Sequence, residues 1–319
     1  MIIPGMIDIG TVIPAGKWDE AFETAAGCGY TALLAAPLEN TFYEELSDAE
    51  AAMEEPARNP RVDYARFGAV IPANCRSIDE WESAVPAIFL ELGTLTEKIA
   101  FGQMTMLSRI FKAWPKGKPI CVRGTATQIG AALFMAQTNK KRIHVCSVST
   151  REEIELIRES KENGTDVTCD IHPLNLLLCD HGNGRALPLR KVGTEDDRAA
   201  LRENLGMIDC FSSANFVPVS GNPFDSLKMI PSLMEMLLMR GILDEAGIRA
   251  RVAVNPRDIF GLYPQTDTAV EFEDTQLIAA ITPDSEVVRS VRLRGEVIYE
   301  KGKLLPERFI GYRLKGYRG

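Results

Sequence analysis

The chain has 319 residues, 45% hydrophobic and 25% charged, enough apolar material for a sizeable core in a globular protein. A net charge of −8 argues against a nucleic-acid or anionic-membrane surface, and no apolar run approaches the ~20 residues of a membrane span. The 7 cysteines are odd in number and lack C-x-x-C spacing, so they read as reduced thiols of a cytoplasmic protein.

In chain order, Met6–Gly10 reads as a strand after the Pro4-Gly5 turn, and Lys17–Cys28 as an amphipathic helix ended by Gly27-Cys28-Gly29. A strand over Tyr30–Ala36, an acidic helix over Glu44–Glu55 and a strand over Asp63–Ile71 follow. Ser77 is placed as the cap of a short helix through Ala84, ahead of a strand at Ala87–Leu92. Helical segments over Thr94–Trp114, interrupted by Gly102, lead to a strand at Pro119–Arg123 and a helix at Thr125–Asn139. Ile143–Val148 is β-branched and reads as a strand. Ser149 or Thr150 caps the next helix, Glu152 and Glu153 occupy its first turn, and Asn163-Gly164 ends it. Val167–Ile171 is the following strand, residues 179–194 are loop, Thr194 caps a helix through Asn204, and Gly206–Phe211 is a further strand.

Eight strands separated by helices is the count of a (β/α)8 TIM barrel. Beyond it come a long helix (Leu227–Arg240) and two short ones (Asp244–Arg249 and Pro256–Leu262). Val287–Leu305 alternates as a hairpin turning at Arg294-Gly295, expected to pair with the extreme N-terminus as a small side β-sheet. The expected organisation is one domain over residues 1–319. Its barrel spans about 6–262, its side sheet takes 1–5 and about 267–305, and the whole is expected to be excised from a larger multidomain chain.

PGMIDIG, VTCDIHPLNLLL, ENLGMIDCFSS, VNPRDIFGLYPQTDTAVEFE and VRLRGEVIYEKGKLL follow one another. In that order they resemble the dihydroorotases of the amidohydrolase superfamily. The resemblance implies a binuclear zinc site at the C-terminal mouth of the barrel, held by a His-x-His pair, a carbamylated lysine, two further histidines and an aspartate. A metal-bridging hydroxide would attack the dihydroorotate ring, and the aspartate would shuttle the proton. Here the His-x-His positions hold Gly10 and Val12, and the substrate arginine falls at Pro14. The lysine position falls near Ile88, and the sixth-strand histidine is Ser147. The paired histidines after the seventh strand are Leu174 and Asn175, and the aspartate and following histidine are Ala214 and Asn215. These side chains offer zinc no imidazole, thiolate or carboxylate, so the family's zinc is expected to be lost and with it the catalytic function.

The remaining polar residues are weighed singly. Counting parity from Ser147, His144 and Cys146 face the helix layer and read as packed core. His172 reads as a bond to loop backbone, His181 as a solvated surface residue, and Asp8 as a structural hydrogen-bonding group. Cys121, Cys169 and Cys210 read as small buried hydrophobes. The Met run at 228–239 reads as core or interface. The resemblance therefore points to a catalytically inactive dihydroorotase-like domain, similar to that of fungal multifunctional pyrimidine-synthesis proteins. It would act as a spacer between carbamoyl-phosphate synthetase and aspartate carbamoyltransferase, its partners being the neighbouring domains and, in an oligomer, further copies. Two alternatives stand beside it. One is a ligand-binding module with an altered pocket, and the other is a metal-free hydrolase using Asp8, Asp170 or His172.

Overall fold

The computed structural model describes residues 1–37, 42–93, 104–179, 192–214, 222–273, 287–305 and 308–316. His181, Asn215 and the Gly182-Asn183-Gly184 loop lie outside these. Strand and helix alternate as the sequence predicts. The order is β2 (Met6–Asp8), α1 (Trp18–Gly27), β3 (Tyr30–Ala35), α2 (Leu46–Ala51), then β4 (Asp63–Arg66) continuing into β5 (Gly68–Ala69). β6 (Ile88–Glu91), α3 (Met104–Ala113), β7 (Ile120–Arg123), α4 (Ala126–Asn139), β8 (Ile143–Val145), α5 (Arg151–Glu162), β9 (Val167–Ile171), α6 (Glu195–Glu203) and β10 (Cys210–Phe211) complete the run.

Pairing within this run is parallel throughout, in the orders β2-β3-β4 and β10-β9-β8-β7-β6-β5. Phe67 joins the two ladders: its N–H donates to Ala35, and the next N–H, of Gly68, donates to Ala87. Between β10 and β2 no ladder forms among the described residues. Side-chain bonds cross that seam instead, where Asp8 accepts from the Ser213 N–H (2.7 Å) and hydroxyl (2.8 Å).

Alternation along the strands separates two cores. An outer core between strands and helices takes Met6, Leu33, Tyr64, Ile88, Leu90, Val122 and Val145. An inner one takes Ile7, Ala32, Phe67, Phe89, Cys121, Cys146 and Cys210, roofed by Phe260. Several helix starts follow from local chemistry. Thr150 and Thr194 each accept the N–H three residues on, and the acid there reaches back to close a capping box.

Three predicted elements differ. Ser77 makes no cap: its hydroxyl donates to the Asn74 carbonyl, and Ile78–Ser83 is a 3-10 turn. The last parallel strand is only Cys210–Phe211, because Arg251 and Lys161 take the Leu205 and Met207 carbonyls that a longer ladder would need. Two short helices near the end are one continuous run: α8 (Glu245–Arg249), a π turn over Ala250–Val254 and α9 (Asn255–Ile259). Before them α7 (Asp225–Met239) buries Met229, Ile230, Leu233, Met234 and Leu237.

The side sheet is antiparallel, in the order β1-β11-β12-β13-β14: β1 (Ile2–Ile3), β11 (Ala269–Phe272), β12 (Val288–Leu293), β13 (Glu296–Glu300) and β14 (Lys303–Leu304). Its tight turns, Arg294-Gly295 and Lys301-Gly302, have positive φ at both residues, the primed-turn geometry that suits strand twist and requires glycine second. The tail then returns to the parallel array. Gly311 donates to Pro60, Tyr64 donates to Tyr312, and Leu314 donates to Tyr64, which places Arg313 beside β4. Gly311 is required there, since a Cβ would strike the Val62 carbonyl.

Candidate functional site

The C-terminal ends of the parallel strands are where such a fold builds chemistry. Gly10 and Ala214 meet there. A Cβ on Gly10 would overlap that of Ala214 and lie 3.0 Å from its Cα and N atoms, so position 10 has no room for a side chain. Beneath them Asp8, fully buried, accepts from the Gly10 N–H at 3.2 Å, the Thr11 hydroxyl and both Ser213 donors. Burial pushes the Asp8 carboxyl up from its usual range, and these donors offset part of that. Val12 bridges to Ala36 beyond, and Val12 and Pro14 are both half-buried.

Two expectations about this rim are corrected. Ile88 points into the outer core, because Ala87 and Phe89 take the inward parity; an apolar residue at 88 therefore fills nothing at the strand ends. The inward residue at the end of β6 is Glu91. Arg123, at the end of β7, donates to it through Nε at 2.6 Å and lies over the Phe89 ring. The sequence signal was the alternation Ala87, Phe89, Glu91. Leu174 likewise sits in the outer core, so packing of apolar side chains is not what closes the rim. Ser147 is buried at the rim. Asn175 is buried beside it in sequence to His172, whose carbonyl accepts the Asn175 N–H, while its own Oδ1 has no hydrogen-bond partner among the described residues.

The second correction concerns His144 and Cys146, which face the inner core and not the helix layer. Ser147 lies past the end of β8 at φ 61°, and that turn of the backbone breaks the alternation from which parity was counted. His144 meets the Phe260 ring edge-on and sits between Thr168 (Nδ1 to Oγ1, 2.8 Å) and Asp170 (Nε2 to Oδ2, 3.0 Å). A carboxylate only accepts, so in the bond to Asp170 it is His144 Nε2 that donates. Asp170 also accepts from the Ser147 N–H at 3.1 Å and from the Ser212 hydroxyl.

Ligand-type atoms of His144, Cys146 and Asp170 lie within 4.8 Å of one another. They fit a divalent ion poorly. His144 is already committed through both nitrogens, and burial pushes the Cys146 thiol well up, away from the thiolate a metal needs. The zinc-ligand positions implied by the resemblance fit one no better, since glycine, valine, serine, leucine and alanine supply no strong donor. His172 is buried, and its Nδ1 accepts the Leu174 N–H and so caps the turn at Pro173–Leu176. Burial holds its pKa down at about 3, with a backbone bond from Ser226 opposing.

No protein-family model matches the chain. It is 28% identical over 95% of its length to multifunctional protein CAD of Squalus acanthias, and spans 15% of that protein. It is 26% identical over 86% of its length to multifunctional protein pyrABCN of Emericella nidulans, and spans 12% of it. In fold it is similar to the inactive dihydroorotase-like domain of the Chaetomium thermophilum CAD-like multifunctional protein. That likeness has a TM-score of 0.80 and 23% identity, and covers 98% of each chain. The chain thus resembles CAD-type multifunctional proteins along most of its sequence, and a dihydroorotase-like domain in its fold.

Proposed function

We propose that this chain is a dihydroorotase-like domain without catalytic function, acting as a rigid spacer within a multifunctional protein of pyrimidine synthesis. Its neighbours in that protein would be carbamoyl-phosphate synthetase and aspartate carbamoyltransferase. The seam between β10 and β2 is read as the closure of a (β/α)8 barrel. The observation that carries the proposal is the Gly10–Ala214 contact. It brings together the positions where the resemblance places a metal-binding histidine and the proton-shuttling aspartate, and it leaves no room for a side chain at Gly10.

Hydrolysis at neutral pH by this family depends on a metal-activated water. Without the cation that water returns toward a pKa of about 15.7 and is a weak nucleophile. The location that follows is cytoplasmic, and no described helix is long and apolar enough to cross a membrane. The test pairs metal analysis of the purified chain with an assay of carbamoyl aspartate cyclisation. Sub-stoichiometric zinc and a rate equal to the buffer blank are expected. Stoichiometric zinc accompanied by turnover would refute the reading.

A further inference from the structure

Away from the strand ends, the outer layer holds a pocket of about 20 Å³, partly open to solvent, whose wall includes Arg66, Trp81, Tyr43, Met53, Glu50 and Arg313. That volume exceeds the roughly 10–15 Å³ needed by one water-sized occupant. Arg66 is the last residue of β4, its guanidinium lies 5.4 Å above the Trp18 ring, and the residue is only 8% exposed. Its Nε and Nη1 are buried with no hydrogen-bond partner, and so is Nε1 of Trp81, which is 2% exposed. Both residues line the pocket, and among the described residues these three N–H donors have no acceptor.

Buried donors are almost always satisfied, because losing water without replacement is costly. The charge of the wall points the same way. Arg313 is paired with Glu50 through two bonds of 2.6 Å, which leaves Arg66 without a bonded carboxylate among the described residues; Glu55 and Tyr43 act on it only through space. Burial also presses the Arg66 pKa down, which a bound negative charge would relieve. The guanidinium and indole groups offer donors alone, which an anion accepts.

We propose that Arg66 and Trp81 form a binding site for a single halide-sized anion, held by guanidinium and indole N–H donors between β4 and the 3-10 turn at Ile78–Ser83. The site is independent of the reading given under Proposed function. It is tested by bromide. In crystals grown with sodium bromide, an anomalous peak is expected in contact with Arg66 and Trp81. In solution, replacing sodium gluconate by sodium bromide at constant ionic strength raises the melting temperature saturably in the unaltered chain. The response is lost in Arg66→Met and in Trp81→Phe, the latter removing only the donor and keeping the aromatic bulk. Absence of the peak, or equal bromide responses in all three proteins, would overturn the proposal.

Discussion

Gly10 and Ala214 meet at the strand ends, where a Cβ at residue 10 would have no room. Two small residues let the backbones approach until no ligand atom fits between them. Gly10→Ala is therefore expected to destabilise the chain by about 1–3 kcal/mol, read as a lower denaturant midpoint, because the added methyl overpacks a buried contact. Ala214→Gly in the same chain should recover part of the loss, and an additive pair would refute the contact. His172 supplies a second prediction at this scale. Folded, its pKa is held at about 3 by burial; unfolded, it titrates near 6.5. The neutral ring thus contributes stability that is present above pH 6.5 and is lost as pH falls from there toward 3. His172→Asn keeps an acceptor for the Leu174 N–H and removes the titration. Between pH 6.5 and 4 the unaltered chain should lose about 3 kcal/mol more than this variant, measured by urea melts. Parallel acid limbs would show that the ring is not held neutral.

Elements were legible where local chemistry and long-range packing agree. The run through Thr150, with Glu153 in the first turn and Val167–Ile171 after the loop, appears in the structure as it reads in the sequence. The two glycine turns of the side sheet do likewise. The sequence was misread where a tertiary partner overrides the local pattern. Ser147 turns back at positive φ, held by Asp170 on the neighbouring strand, and no property of residues 143–148 announces it. Arg66 was passed over altogether. An arginine at the end of β4 was the available signal, but the pocket it lines depends on Trp81, which comes from the following 3-10 turn. Asp63 at the start of β4 carries the prediction at this scale. It accepts from Arg294 at 2.8 and 2.9 Å, the Tyr312 N–H at 2.8 Å and Gln265 at 2.7 Å, and so ties side sheet and tail to the strand. Asp63→Ala leaves a partly buried arginine uncompensated and should cost about 3–5 kcal/mol. Limited proteolysis checks it: the tail is expected to become cleavable before the rest, and unchanged protection would count against the tie.

At the scale of the whole molecule, the fold class follows from the regular alternation of strand and helix, and the silence of the rim follows from which residue types stand at its ends. The two cores are built from strand faces and helix stripes, and strand-end residues such as Ile9, Leu92 and Val148 belong to them. The tail adds a consequence in time. Tyr312 reaches Asp63 across 249 residues of sequence, so at about 5–20 residues per second a ribosome needs roughly 12–50 s between making the two partners. Throughout that interval the nascent chain must hold the flank of β4 open to water, which makes it a place where a chaperone would find the unfinished protein.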